Sequence, residues 1–188
     1  MSPPATMPDN TNKTNTFNPF EDRLSRDIRN DLSESIIEVL SSRSLDAAEE
    51  AAAYYRQTDL PMAHAGYIEQ RLQRYAEALS RLAPDSDLLC QAAVLWDLAL
   101  FFEVHEILEP AWIEATGGRK RLLQALIRAA GVYINLELGY FQRAEKIASK
   151  ALPVLEELGD SLTSVMHIDN LIEALQTLPD KAPRLSRN

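Results

Sequence analysis

Phe102-Glu103-Val104-His105-Glu106-Ile107-Leu108-Glu109-Pro110-Ala111-Trp112 is the stretch on which the reading of this chain turns. It closes a long apolar run that begins at Leu88. On a helix, Phe102, His105, Glu109 and Trp112 fall at i, i+3, i+7 and i+10 and make one stripe. A histidine and a glutamate therefore stand inside an aromatic stripe that is expected to face inward. Buried His and Glu cost free energy unless each finds a partner. The pair is thus either a site or a well-satisfied structural clamp.

The same helical period extends in both directions. Residues 88–100 are apolar nearly all round, as in a helix buried on several sides. We expect one long fourth helix over residues 86–115, started by Ala83-Pro84-Asp85-Ser86 and kinked at Pro110, which removes the hydrogen bond to the Glu106 carbonyl. Thr116-Gly117-Gly118 ends it. A fifth helix is expected over 119–138, with Ala125, Ala129, Ala130 and Gly131 marking a close helix approach. A sixth covers 141–158. A seventh starts at Gly159-Asp160 and stops before Pro179. Toward the N-terminus, Asn18-Pro19 reads as a cap with proline at the first helical position. Leu24, Ile28, Leu32, Ile36 and Val39 then follow at helical spacing. Ser44 caps a second helix that runs to about Arg56. After the break Thr58-Asp59-Leu60-Pro61, a seam of Ile68, Leu72, Tyr75, Leu79 and Leu82 makes a third. No segment alternates with a period of two, so the fold class is all-α, a single helical domain of about six to seven helices.

The expected organisation is a disordered tail over 1–17, an N-terminal helical region over 18–84, a helical domain with the motif over 85–178, and a loose C-terminal tail over 179–188. The first segment is rich in Pro, Thr and Asn and has too little apolar surface to offset ordering. Gly139, Phe141, Ala144, Ala148 and Ala151 have the spacing of one tetratricopeptide-repeat helix. No second copy follows at the repeat period, so an ordinary helical hairpin is expected.

Composition narrows the function classes. The chain has 188 residues, 46% hydrophobic and 25% charged, with a formal net charge of -9. Such an acidic balance argues against a general nucleic-acid binder, whose affinity rests on clustered Lys and Arg. The one basic cluster, Arg119-Lys120-Arg121, reads as a solvated helix start. Cys90 is the one cysteine, in apolar surroundings, and is read as core. A single cysteine and the lack of an apolar leader segment fit a reduced, cytoplasmic setting. No run is long and apolar enough to span a bilayer. The partner is unspecified, and a homo-oligomer is compatible with the composition.

His105 and Glu109 are i and i+4, so their side chains meet on one face. That spacing offers an imidazole nitrogen and a carboxylate oxygen to one divalent metal, or a His–Glu hydrogen bond that fixes one tautomer. The zinc-protease H-E-x-x-H pattern is absent, because Glu109 occupies the position of its second His. The Glu-x-x-His element of di-iron bundles is absent too, because Phe102 stands where its Glu belongs. Gln124, Arg128 and Asn135 are polar residues on the otherwise apolar fifth helix. If that helix packs antiparallel to the fourth, Gln124 or Arg128 reaches His105 and Glu109. An Arg128–Glu109 ion pair is the purely structural alternative for that carboxylate. His64 and His167 receive no role.

Residues 88–152 resemble a bacterial and archaeal family known as domain of unknown function 309. The resemblance rests on Phe102-Glu103-Val104-His105-Glu106-x-x-Glu109-Pro110-x-Trp112, then Leu122-Leu123-Gln124, then Gly139 with Ala144. The family hallmark, H-x-x-x-E-x-x-W or Y, is matched by His105, Glu109 and Trp112. The resemblance implies an all-helical fold and, as a suggestion only, metal binding at the hallmark. This chain departs from the family pattern at Ala125, often glycine there, and near Asn135, where histidine is common.

Three functions compete. The first is a structural or interaction domain with a buried cluster of His105, Glu109, Trp112 and Gln124. The second is a metal-binding protein or metal-dependent enzyme using His105 and Glu109, with Glu106 pointing away on an ideal helix. The third is a small-ligand pocket at the same cluster, which also takes in Glu106 and Arg128. No cofactor is assured by the sequence; a divalent metal is the one candidate. Two ligands are too few for tight binding, so a metal-free resting protein is expected.

Overall fold

The computed structural model describes residues 16–187. Helix α1 (Arg23–Ser42) starts at Asp22, whose side chain accepts from the Ser25 N–H at 2.7 Å. Asn18 caps a separate turn before it, taking the Phe20 N–H at 3.0 Å, so the helix begins later than Asn18-Pro19 suggests. Ile28, Leu32, Ile36 and Val39 are fully buried along one face of α1. Helix α2 (Asp46–Arg56) and helix α3 (Met62–Arg81) complete the N-terminal region. Of the expected seam, Ile68, Leu72, Tyr75 and Leu82 are buried and Leu79 is half-buried, while Ala78 beside it is fully buried. His64, also on α3, is 3% exposed. Its Nε2 lies 3.0 Å from Ser25 Oγ and 3.1 Å from Asp22 Oδ2, which ties α3 to the start of α1.

The long fourth helix expected over 86–115 is instead two helices, α4 (Leu88–Asp97) and α5 (Phe101–Glu114). Asp87, rather than Ser86, caps α4, accepting from Leu89 N and Cys90 N. Ala99 interrupts the run in the left-handed region, at φ 52°. Two guanidinium groups from α3 hold the interruption open. Arg71 and Arg74 each donate to the Ala99 carbonyl, at 3.0 and 3.1 Å. A carbonyl freed from the helix is thereby satisfied by charge-assisted bonds. Pro110 does not end α5, which runs on to Glu114.

Helix α6 (Gly117–Glu137) and helix α7 (Phe141–Leu158) form a hairpin around Gly139, which sits at φ 78°. Ala125, Ala129 and Ala130 on α6, and Ala144, Ala148 and Ala151 on α7, are all buried, so the small residues mark close helix approach. A 3-10 turn (Gly159–Leu162) and α8 (Ile168–Thr177) follow. Helix α5 packs against α4, α6 and α1 together, which makes it central to the bundle. The fold is all-α, with eight α-helices among the described residues and no strand beyond one isolated bridge. The eighth helix is the product of the break at Ala99.

Both chain ends depart from expectation where they are described. The expected disordered tail falls on residues 1–15, outside the described residues, except for its end. Phe17 there stacks on Tyr67 with ring centroids 3.7 Å apart. The C-terminal segment is fastened rather than loose. The Asp97 carboxylate accepts from Leu185 N at 2.6 Å, from Ser186 N at 3.1 Å and from the Ser186 hydroxyl. Trp96 Nε1 donates to the Pro183 carbonyl at 2.9 Å, and Leu185 is 2% exposed. One apolar side chain and one buried acid thus anchor a segment whose composition alone reads as loose.

Candidate functional site

Helix α5 carries two polar groupings on adjoining faces. The inner one is centred on Glu103, which is fully buried. It lies at the i+3 position from Leu100 and beside Val104 and Ile107, so the core stripe of α5 includes it. Its Oε2 is 3.6 Å from Arg71 Nη1, and its Oε1 accepts from the Tyr75 hydroxyl at 2.6 Å. Tyr75 also faces the Leu32 carbonyl at 2.8 Å. Burial, followed by the negative field of Glu103, pushes the Tyr75 pKa well above the usual phenol value, so it stays neutral. Glu103 thereby locks α5 to α3 and α1. Sequence reasoning missed this role. The signal was present: Glu103 and Arg71 are opposite charges, each set in an apolar core stripe.

The outer grouping is the one that the motif predicts, with a different third member. Ligating atoms of His105, Glu106 and Glu109 lie within 4.8 Å of one another, all three side chains half-buried. His105 Nδ1 is 3.7 Å from Glu106 Oε1. The Glu106 carboxylate, against the opposing effect of burial, raises the His105 pKa above its ordinary value; Glu109 adds to the rise. The nearby cation is Arg29 of α1, not Arg128. Its guanidinium lies over the Phe102 ring at 4.4 Å, one helical turn before Glu106. Burial lowers the Arg29 pKa, and the nearby carboxylates of Glu106 and Glu103 partly counter this.

Residues 89–147 match the family model described as Domain of unknown function (DUF309). The DUF309 match begins in α4, takes in α5 and α6, and ends within α7. The whole of the His105–Glu106–Glu109 grouping falls inside it, as does Glu103. Arg29, Arg71 and Tyr75, which meet α5 from α1 and α3, fall outside it. No curated protein and no solved structure matches the chain.

The remaining motif residues are placed separately. Trp112 faces the start of α6, with Lys120 Nζ 5.4 Å from its ring, and its buried Nε1 has no hydrogen-bond partner. Gln124 and Arg128 are half-buried on α6. Among the described residues neither makes a hydrogen bond or ion pair to His105, Glu106 or Glu109. The clamp from the fifth predicted helix is therefore not formed in this arrangement. Glu106 was expected to point away from the pair, yet its carboxylate joins it. Two cavities of the fold, of about 1050 and 560 Å³, are lined by other residues.

Proposed function

We propose that the DUF309 region presents a site for one divalent cation, held by His105, Glu106 and Glu109. The observation that carries this reading is the convergence of one imidazole nitrogen and two carboxylate oxygens within 4.8 Å on a single helix. A mixed nitrogen–oxygen donor set suits zinc, manganese or iron(II) better than calcium. Three protein ligands leave at least one coordination position for water or a substrate oxygen, the pattern of a catalytic rather than a closed structural zinc site. The half-buried setting gives that position access from solvent. Glu103, clamped by Arg71 and Tyr75 behind the site, keeps α5 in place, so the three ligands belong to a rigid element.

The imidazole must be neutral to bind metal. Because Glu106 and Glu109 raise the His105 pKa, a proton competes with the cation at this nitrogen. Affinity for the metal is therefore expected to climb as pH rises through the His105 pKa. The test is elemental analysis of untagged protein, followed by calorimetric titration of chelated protein with zinc and manganese. One equivalent bound, and lost in His105→Ala and Glu109→Gln, supports the reading. Protein that takes up no zinc or manganese at neutral pH refutes it.

A second reading, an interaction surface, is favoured by Ile113, which is 62% exposed next to Trp112 at the end of α5. A concentration-dependent change in mass that Ile113→Asp abolishes, with metal binding unaffected, would favour this reading over the first.

A further inference from the structure

Arg29 of α1 is a cation without an ion pair beside the grouping on α5. Its guanidinium lies over the Phe102 ring at 4.4 Å. Phe102 precedes Glu106 at i, i+4 and shares the α5 stripe of His105 and Glu109. Along that helix the guanidinium is therefore about one turn, about 5 Å, from the three ligating side chains. Its charge acts on both His105 and Glu106. Arg29 is half-buried, and among the described residues its guanidinium makes no hydrogen bond or ion pair. The enclosed Nε has no partner at all.

The two carboxylates that act on Arg29 are engaged elsewhere. Glu106 turns to His105, with 3.7 Å between its Oε1 and the imidazole Nδ1. Glu103 is bridged to Arg71 at 3.6 Å and accepts from the Tyr75 hydroxyl at 2.6 Å. A divalent cation held by His105, Glu106 and Glu109 has its charge cancelled by the two carboxylates. Arg29 is then the uncompensated positive charge next to the open coordination position. A half-buried guanidinium in that setting gains from an anion brought to it.

We propose that the substrate of the α5 site is a small oxyanion, a carboxylate or a phosphate, with one oxygen on the metal and another on the Arg29 guanidinium. This rests on the cation site of α5. The planar guanidinium fork matches either group and keeps its charge throughout the working pH range. Phe102 beneath the guanidinium holds it in place before the anion arrives, so less side-chain freedom is lost on binding.

The experiment is calorimetric titration of the full chain, first with zinc and with manganese. The protein loaded with the metal that binds is then titrated with inorganic phosphate and with malonate. At least one oxyanion is expected to bind the loaded protein about tenfold or more tightly than the metal-free protein. The tighter of the two names the group, phosphate or carboxylate. Arg29→Met keeps an apolar stem over Phe102 and should weaken that oxyanion about tenfold, with metal affinity unchanged or raised. Arg29→Lys keeps the charge without the fork and should fall between the two. Retained metal binding shows that each variant is folded. A chain that takes up neither metal fails at the first titration, which overturns the cation site and this proposal with it. A loaded chain that binds neither oxyanion, or binds it equally well in a metal-binding Arg29→Met, overturns the oxyanion proposal alone.

Discussion

Replacing Arg71 by methionine leaves the Glu103 carboxylate in the core with no cation beside it. Arg71 is 4% exposed and Glu103 is 0% exposed, so neither charge recovers solvation when the other is lost. At 3.6 Å, and with an effective dielectric constant of about 20, their attraction is about 4–5 kcal/mol. Breaking a buried pair from one side typically costs about 3–5 kcal/mol. Arg71→Met alone and Glu103→Leu alone are both expected in that range. The bystanders limit the damage in each case. Without Glu103, the Tyr75 hydroxyl still has the Leu32 carbonyl at 2.8 Å. Without Arg71, the Ala99 carbonyl keeps Arg74 at 3.1 Å. The double variant replaces both charges by apolar groups of similar size. It should be less destabilised than either single variant, so the coupling energy should exceed the larger single cost, about 3–5 kcal/mol. Urea unfolding of all four proteins, followed by far-ultraviolet circular dichroism, measures this. Single variants that each cost under about 1 kcal/mol, or costs that merely add in the double variant, would refute the clamp.

Three further outcomes are expected. Asp22→Ala should cost about 1 kcal/mol through loss of the α1 cap. Hydrogen bonds from the Ser25 hydroxyl and N–H hold the Asp22 pKa at about 2, with His64 adding to the effect, so its contribution is present above the ordinary aspartate value and fades as pH falls toward 2; acid titration of stability in the variant should be flatter across that window, and unchanged acid sensitivity would remove this account. Asp97→Ala leaves the Leu185 and Ser186 amides without their acceptor, and hydrogen exchange there should speed up with a loss of about 1–3 kcal/mol in global stability; unchanged protection of both amides would show that Asp97 does not hold the segment. Ala99→Gly should stabilise the chain by up to about 1 kcal/mol, because Ala99 sits at φ 52°, provided that a denaturation curve shows the midpoint moving up and not down.

The helical class was legible because its signal is local. Ile28, Leu32, Ile36 and Val39, or Ile68, Leu72 and Tyr75, recur at a helical period, and each set is buried where that period puts it. The break at Ala99 was not legible, for the opposite reason. Leu98-Ala99-Leu100 carries no glycine or proline, and nothing within it disfavours a continuous helix. What stabilises the interruption is a pair of guanidinium donors from α3, far away in sequence. The C-terminal segment follows the same rule, since its anchor, Asp97, lies almost ninety residues before Ser186.

The motif shows where period alone stops being informative. His105 and Glu109 are placed together by i, i+4 geometry, and the structure adds Glu106 to them. An ideal helix turns adjacent residues about 100° apart, so spacing alone directs Glu106 elsewhere. Its long side chain nevertheless reaches back, drawn by the imidazole next to it and by Arg29 across from it. The cation opposite the motif thus comes from α1, outside the DUF309 match, and Arg128 inside the match is not used. Glu103, one residue further into the core, is held in the same way by Arg71 and Tyr75 of α3. The added N-terminal helices therefore do more than lengthen the bundle. They supply the cations that face Glu103 and Glu106, Arg71 and Arg29, which makes the electrostatics of the motif a property of the whole chain and not of the matched region alone.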